Sequence, residues 1–411
     1  EPRDRQSLIE NLRQLAREFE DESSIQIALI QLLAQNRQFE EALYEIQQVL
    51  EIIDLTPNMV LLHGQVLQNM DDSEGATRVL RDGVRQFEDD KSLRLSFARL
   101  LIQNDDFKEA QEQFEIIVEQ DPEDWETLYS VALLDMELEN FDSAINNLEK
   151  LILADQRFDE SQYYLGFIYE QLEEMEKSIK HYREVRIGTN NFLAAQQQAT
   201  RHAINLGQLD DAHSWLIRQS SGQPRLEILF TTIESNLLIQ SGYITEAKTL
   251  LDSSLNRFPN ESELLFARVL YYDSQGDKAG SERDLQQIIR MQPDDSRALN
   301  HLGYMLADQT NRFEEALKLI EQAIAISPDD PAIIDSLAWA QYKLGHYEDA
   351  LSNLRRAFAV FPDHEVASHL GEVLWQMGRE EEATQVWEDA LQVQPDSELI
   401  REVIERFRPY E

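Results

Sequence analysis

A small residue, usually in a Glu-Ala pair, recurs along this chain at an almost constant interval of 34 residues. We call these positions the anchors, and they are Ala42, Ala76, Ala110, Ala144, Ser178, Ala212, Ala247, Ser281, Ala316, Ala350 and Ala383. Successive anchors are 33 to 35 residues apart. A period of this length is typical of repeat proteins, in which each supersecondary unit buries its apolar face against its neighbours. The chain is therefore predicted to be an array of similar units.

Two further landmarks keep the register of the anchors. Twelve residues before most anchors stands a small residue: Gly64, Ala98, Ala132, Gly166, Thr200, Ser235, Ala338 and Gly371, with Gly303 one position further back. Twelve residues after seven anchors stands a proline: Pro122, Pro224, Pro259, Pro293, Pro328, Pro362 and Pro395. A small residue lets a second helix approach closely, and a proline ends a helix. Each repeat is thus predicted to be a helical hairpin, with Gly345 and Gly378 at turns between helices.

This set of landmarks resembles the tetratricopeptide repeat over nearly the whole chain. No segment shows the alternation of apolar and polar residues that a half-buried strand requires. The resemblance implies an all-α solenoid, a right-handed superhelix of about eleven helical hairpins with a C-terminal capping helix.

The two ends of the chain depart from the repeat pattern. Residues 1–22 are expected to form the second helix of a truncated upstream repeat, with Leu8, Leu12, Leu15 and Phe19 on one face. Residues 23–395 should contain eleven repeats in one continuous array. Residues 396–411 should form the capping helix, because Leu399, Ile400, Val403, Ile404 and Phe407 make a single stripe. A stacked array needs such a helix to cover its last apolar face.

Charge and composition limit the classes of partner. The chain has 78 acidic and 37 basic residues, a formal charge of −41, which repels nucleic-acid phosphates and anionic membrane surfaces. The absence of cysteine excludes disulfides, thiolate metal ligands and a cysteine nucleophile. No apolar run approaches the roughly 18 residues needed to cross a bilayer. Because the chain begins at Glu1 without a signal peptide, we expect a processed or trimmed product.

The segment His369-Leu-Gly-Glu372 is the most suggestive of chemistry. A metal site usually needs about four ligands that converge on one face, and this segment does not supply them. We therefore predict that His369 packs in the repeat, while Glu372 is either a solvated acid or a partner contact. Paired acids such as Asp89-Asp90 and Asp105-Asp106 are expected at helix ends and turns. No catalytic residue, metal ligand or cofactor site is predicted, and an enzyme is the least supported class.

The surface of the first helix in each repeat is the expected binding face, because helical solenoids bind partners on their concave side. Fifteen, eleven and eight residues before the anchors, this face carries aromatic and aliphatic residues with acids nearby. The candidate partner-binding residues are Tyr129, Leu133, Met136, Tyr163, Phe167, Glu126, Glu160, Glu170, Arg201, Trp339, Tyr342, Glu372 and Trp375. The alternative is that some of these aromatics pack on neighbouring repeats. Exposed aromatics ringed by acids favour a basic protein partner.

Residues 299–391 carry a more specific resemblance, to bacterial envelope tetratricopeptide lipoproteins of the LbcA-like kind. It depends on Leu-Asn-x-Leu-Gly-Tyr at 299–304, on Asp335-Ser-Leu-Ala-Trp339 and on His369-Leu-Gly-Glu-x-Leu-Trp375. The resemblance implies an adaptor that binds the carboxyl-terminal processing protease CtpA and brings it basic peptidoglycan hydrolases. It implies a location on the periplasmic side of the outer membrane, through a lipid anchor in an N-terminal part absent from this chain. The alternative is a structural scaffold for envelope assembly or polysaccharide export.

Overall fold

A computed structural model of the chain describes residues 2–19, 23–52 and 54–407. Within these ranges the structure contains 24 helices and no strand. The prediction of an all-α repeat protein is confirmed. Residues 1 and 20–22 of the predicted first segment, residue 53 of the predicted array and residues 408–411 of the predicted capping segment lie outside the described residues.

The helices alternate between a first helix, which we call the A helix, and a second, the B helix. The A helices are α2 (Ser23–Gln35), α4 (Pro57–Asn69), α6 (Lys91–Gln103), α8 (Trp125–Glu137), α10 (Phe158–Gln171), α12 (Phe192–Asn205), α14 (Pro224–Gln240), α16 (Ser262–Ser274), α18 (Ser296–Gln309), α20 (Pro331–Lys343) and α22 (His364–Gln376). The B helices are α3 (Phe39–Leu50), α5 (Ser73–Gln86), α7 (Phe107–Gln120), α9 (Phe141–Leu153), α11 (Met175–Glu184), α13 (Leu209–Ser220), α15 (Ile244–Arg257), α17 (Lys278–Met291), α19 (Phe313–Ile326), α21 (Tyr347–Val360) and α23 (Glu380–Val393). Two helices flank them, α1 (Pro2–Glu18) and α24 (Glu398–Phe407).

The described residues divide into two compact units, before and after the bond between Ala199 and Thr200. In the first unit, buried apolar clusters form around Ile46, Phe97 and Leu148. In the second unit, buried apolar clusters form around Leu302 and Leu354. Each of these clusters draws side chains from several consecutive helices, so every hairpin depends on its neighbours for burial.

The small residue of the A helix allows a large side chain of the B helix to pack against its backbone. A Cβ atom on Gly371 would lie 2.0 Å from Nε1 of Trp387, and one on Gly166 would lie 2.6 Å from the ring of Tyr182. Both Trp387 and Tyr182 are buried and stand four residues after their anchors. The predicted close approach of the two helices is confirmed at these positions.

In ten of the eleven hairpins the turn has a left-handed residue five positions before the anchor, the exception being the hairpin of Ala316. Gly345 and Gly378 have φ of 82° and 77°, which confirms the predicted turns. In the first five hairpins the same position carries a side chain at φ between 57° and 62°, in Arg37, Asp71, Asp105, Glu139 and Glu173. Those five turns therefore hold backbone strain that glycine would avoid.

The paired acids lie at helix ends, as predicted. The Asp90 carboxylate accepts a hydrogen bond of 2.8 Å from the backbone N–H of Leu93 and so caps α6. Asp105 occupies a turn with φ of 62°, and Asp106 precedes the first residue of α7. An acid at the start of a helix satisfies unpaired N–H groups and complements the helix dipole.

The flanking helices differ in how well their apolar faces were predicted. On α1, Ile9 is fully buried, whereas Leu8, Leu15 and Phe19 are 40 to 50% exposed. The face assigned to α1 is correct for Leu12, which packs against the cluster below the helix, and wrong for Leu8 and Leu15, because the helix is rotated so that Ile9 points into that cluster. On α24, Ile400 and Val403 are buried as expected, while Leu399 lies at the edge. Among the described residues, no helix is both long and apolar enough to cross a membrane.

Candidate protein-binding surface

Aromatic side chains meet on α8 and α10 in the first unit. Phe167 is 39% exposed, whereas Tyr129, Leu133, Met136 and Tyr163 are half-buried. Sequence reasoning missed Tyr164, which joins the two helices: its ring centroid lies 6.3 Å from that of Tyr129 and 5.7 Å from that of Tyr163. We call Tyr129, Tyr163, Tyr164 and Phe167 the aromatic stripe. The adjacent Tyr163-Tyr164 pair was the only signal for this contact in the sequence.

The acids beside the stripe are tied to Arg157. Its Nε and Nη2 lie 3.1 and 2.6 Å from the two carboxylate oxygens of Glu126, and its Nη1 lies 3.2 Å from Glu160. The guanidinium also covers the ring of Tyr129, 5.1 Å from the centroid. Hydrogen bonds to Glu126 and then Glu160 raise the pKa of Arg157 above its ordinary value. Arg157 therefore cancels part of the negative charge that the sequence placed around the stripe.

Glu170 connects the end of the stripe to the next helix. It accepts a hydrogen bond of 3.0 Å from the hydroxyl of Tyr182. The ring of Tyr182 lies 5.5 Å from that of Tyr163, so these side chains hold α10 against α11. Burial, followed by the charge of Glu170, raises the pKa of Tyr182. Tyr163 therefore contributes to packing as well as to the surface, whereas Phe167 contributes mainly to the surface.

The remaining candidates lie in the second unit. Arg201 is half-buried on α12. Trp339 is 4% exposed, stacked between the imidazole of His369 at 4.1 Å and the ring of Tyr342 at 5.1 Å. Its indole N–H donates to Asp308 at 3.2 Å. Trp339 therefore contacts its own neighbours, which is the alternative that the sequence left open for these aromatics.

Glu372 is 6% exposed, so its interpretation as a solvated acid is wrong. It accepts a hydrogen bond of 3.1 Å from the hydroxyl of Tyr342 and forms an ion pair with Arg406 on α24. The sequence could not show this burial, because the cation lies 34 residues away on the last helix. Trp375 is half-buried and packs against Phe407 of the same helix, with ring centroids 5.9 Å apart.

The packing predicted for His369 is confirmed. Its imidazole is buried, stacked on Trp339 and hydrogen-bonded to Asp335. Across the part of the chain that the structure describes, no three His, Asp or Glu side chains converge to hold a metal ion.

Known proteins share both the sequence pattern and the fold. Residues 129–192, 264–331 and 336–398 match the tetratricopeptide repeat. Over 191 residues, 46% of this chain, the sequence is 40% identical to "TPR repeat-containing protein PA4667" of Pseudomonas aeruginosa strain PAO1. Over 122 residues, 29% of the chain, it is 23% identical to "Small glutamine-rich tetratricopeptide repeat-containing protein 2" of Mycosarcoma maydis. Each match spans 32% of the relative's own length.

A solved structure of Naa15/Naa10 bound to HypK-THB contains a similar chain. The similarity covers 92% of the present chain and 64% of the other, with a TM-score of 0.52 at 13% identity. At that identity the likeness concerns the fold alone. Tetratricopeptide-repeat proteins are generally non-catalytic scaffolds that bind other proteins.

Proposed function

Since this chain carries tetratricopeptide repeats, whose arrays bind other proteins, we propose that it is a periplasmic adaptor for proteolysis. It binds a carboxyl-terminal processing protease and delivers cell-wall hydrolases to it. The support for this finer role is the resemblance of residues 299–391 to envelope lipoproteins. A lipid anchor upstream of the present residues would place it at the outer membrane.

The observation that carries a binding role is the exposure of Phe167 beside half-buried tyrosines. An aromatic side chain that is partly exposed on a rigid helix loses little conformational freedom when a partner covers it. Tyr129, Tyr163 and Tyr164 support Phe167 from two helices, so the surface is organised before a partner arrives. Such a surface is suited to an aliphatic or aromatic side chain of the delivered protein.

Charge gives the surface a preference for basic partners. The formal charge of −41 attracts cationic proteins over distances comparable to the Debye length, roughly 8 Å at physiological salt. Near the stripe, two acids share the one cation of Arg157, and Glu170 adds a further carboxylate. We expect this field to affect the association rate more than the dissociation rate. Cell-wall hydrolases that bind an anionic polymer are commonly basic and fit this requirement.

A reconstitution with three purified components tests the proposal. The hydrolase is incubated with the protease, with or without the full chain, and its disappearance is followed over time. We expect the chain to accelerate cleavage, and Phe167→Ala to reduce that acceleration about tenfold, which corresponds to about 1.4 kcal/mol of binding energy. Phe361→Ala is the control, since Phe361 is 55% exposed at the end of a B helix in the other unit.

Two results would argue against an adaptor. If the chain binds the hydrolase but leaves its cleavage rate unchanged, the structural-scaffold alternative is favoured. If Phe167→Ala and Phe361→Ala reduce cleavage equally, the aromatic stripe is not the surface that holds the hydrolase.

A further inference from the structure

A cavity of about 430 Å³ lies between the B helices α13 and α15, above the A helix α14. All three helices belong to the second unit. Its apolar wall consists of Leu209, Leu216, Ile217, Phe230, Leu238 and Leu250. Ile217 is 51% exposed, so the wall reaches the surface and is open to a ligand from outside. The aromatic stripe uses other helices, in the first unit.

The cavity exists because one repeat lacks a large side chain that most others have. Eight residues after the anchor, nine of the eleven repeats carry Leu, Val, Ile or Phe, whereas the repeat of Ala212 carries Ser220. The neighbouring positions are also small: the hydroxyls of Thr231 and Ser254 lie 3.4 Å apart at the cavity. An aliphatic group at residue 220 would occupy space that is open here.

The floor of the cavity is acidic. The carboxylate of Glu234 is 5% exposed and lies 3.0 and 3.2 Å from Nδ1 of His213. Arg257, the other basic group in the lining, pairs with Glu227 through Nη2 and Oε2 at 3.1 Å. Asp210 and Glu246 are the other two acidic residues that line the cavity. With four acids against two bases, the cavity stays negative even when His213 is protonated, and a cation is favoured there because the low dielectric strengthens its attraction.

We propose that this cavity is a second protein-docking site, which accepts an aliphatic side chain of a partner together with a neighbouring lysine or arginine. The aliphatic group packs on Leu216, Ile217 and Leu250 and fills the space left by Ser220. The cationic group reaches Glu234 and its neighbouring acids. The volume is within the range of ligand sites, roughly 300 to 1,000 Å³, and suits two or three side chains. The site holds whether or not the bound protein is a protease or a hydrolase.

The absence of cysteine in the chain permits a direct test by disulfide tethering. Ser253→Cys places a single thiol in the cavity lining, and Gln322→Cys places one at the same register, six residues after the anchor, on a B helix elsewhere. Each variant is equilibrated with three short peptides at a fixed ratio of 2-mercaptoethanol to its disulfide, which supplies the oxidising equivalents by thiol–disulfide exchange. The peptides carry cysteine and glycine followed by leucine-lysine, leucine-glutamate or serine-lysine. Intact mass gives the fraction of chain linked to each.

On Ser253→Cys, we expect the linked fraction of the leucine-lysine peptide to be at least tenfold higher than that of either other peptide. Each ratio of linked fractions is first divided by the same ratio measured on Gln322→Cys. This division removes the preference for cations that the overall charge produces at any thiol. Equal ratios on the two variants would overturn the proposal, since the cavity would then add nothing to the general field.

Two further changes on the Ser253→Cys background separate the parts of the site. Ser220→Leu introduces the apolar residue that most repeats have at this register. It should abolish the excess linkage of the leucine-lysine peptide while Tm stays the same or rises. Glu234→Gln keeps the shape and should lower the preference for lysine over glutamate but keep the preference for leucine over serine. If Ser220→Leu folds normally and the excess remains, the peptide does not occupy the cavity and the proposal is wrong.

Discussion

The imidazole Nδ1 of His369 lies 3.0 and 2.9 Å from the two carboxylate oxygens of Asp335, which stands 34 residues earlier. Both side chains are buried, on the successive A helices α20 and α22. Trp339 covers one face of the imidazole. The pair therefore connects two neighbouring repeats through a charged hydrogen bond instead of an apolar contact, and such a bond depends on pH.

Stability should show this dependence. Burial alone would lower the pKa of His369, but Asp335, together with the charges of Glu365 and Glu372, outweighs burial and raises the pKa above 6.5. Because the folded pKa exceeds the unfolded one, the contribution is complete below about pH 6.5 and is lost as the pH rises through the folded pKa. We expect His369→Asn to lower the free energy of unfolding by about 3 kcal/mol near pH 6, and by less near pH 9.

Denaturant titrations at several pH values measure that difference, with exposed His346→Asn as the control for surface histidines. If His369→Asn lowers the free energy of unfolding by the same amount at every pH, or by more as the pH rises, the histidine is not held as a cation.

The close contact between hairpin helices predicts a graded response to alanine. Gly371→Ala should lower the free energy of unfolding by about 2 kcal/mol, because the new Cβ would meet the rigid, buried indole of Trp387. Gly64→Ala should cost less, since its Cβ would meet Leu80, a flexible side chain, at 3.0 Å. Chemical denaturation of both variants gives their free energies of unfolding. If Gly64→Ala loses as much stability as Gly371→Ala, or more, the packing described is contradicted.

The strained turns predict a stabilising substitution. Glu139 has φ of 57°, at the position where Gly345 and Gly378 stand in later repeats. We expect Glu139→Gly to raise the free energy of unfolding by about 0.5 to 1 kcal/mol, because glycine adopts this conformation without strain. Glu137→Gly, two residues earlier at the end of α8, should lower it. Thermal unfolding of the two variants measures this difference. A Glu139→Gly chain less stable than the unchanged chain would contradict the claim that this turn is strained.

The last helix predicts an effect of truncation. Ile400 and Val403 are buried, and Phe407 packs against Trp375 and Trp387. A chain that ends at Pro395 should expose these tryptophans and aggregate on heating, whereas one that ends at Phe407 should not. Light scattering during a thermal ramp compares the two. If the shorter chain remains as soluble and as stable as the longer one, α24 does not protect the last repeat.

The sequence predicted features that repeat and missed features that depend on contacts between distant residues. The register of anchors and glycines predicted the close approach of two helices at Gly371, where the structure places Trp387, because that contact lies within one repeat. The burial of Glu372 depends on Arg406, which stands outside the repeat pattern. The buried face of α1 could not be chosen from periodicity, since adjacent apolar residues at 8 and 9 fit two rotations.

The candidate surface shows the same division. Periodicity placed Tyr163 and Trp339 on the A helices, but it could not distinguish the half-buried ring from the buried one. The cavity at Ser220 was not predicted from the sequence, which shows only a serine where most repeats have an aliphatic residue. Its acidic floor was not, because Glu234 and His213 come from different repeats.

The affinity of the chain for a cell-wall hydrolase, the proposed partner, tests the central claim most directly. Titration calorimetry with the purified hydrolase should give a dissociation constant at least tenfold weaker for Phe167→Ala than for the unchanged chain, with Tm preserved. Tyr163→Ala should weaken binding and also lower Tm, because Tyr163 packs against Tyr164 and Tyr182. An unchanged dissociation constant for a folded Phe167→Ala chain would contradict the account, and the partner would then have to bind elsewhere.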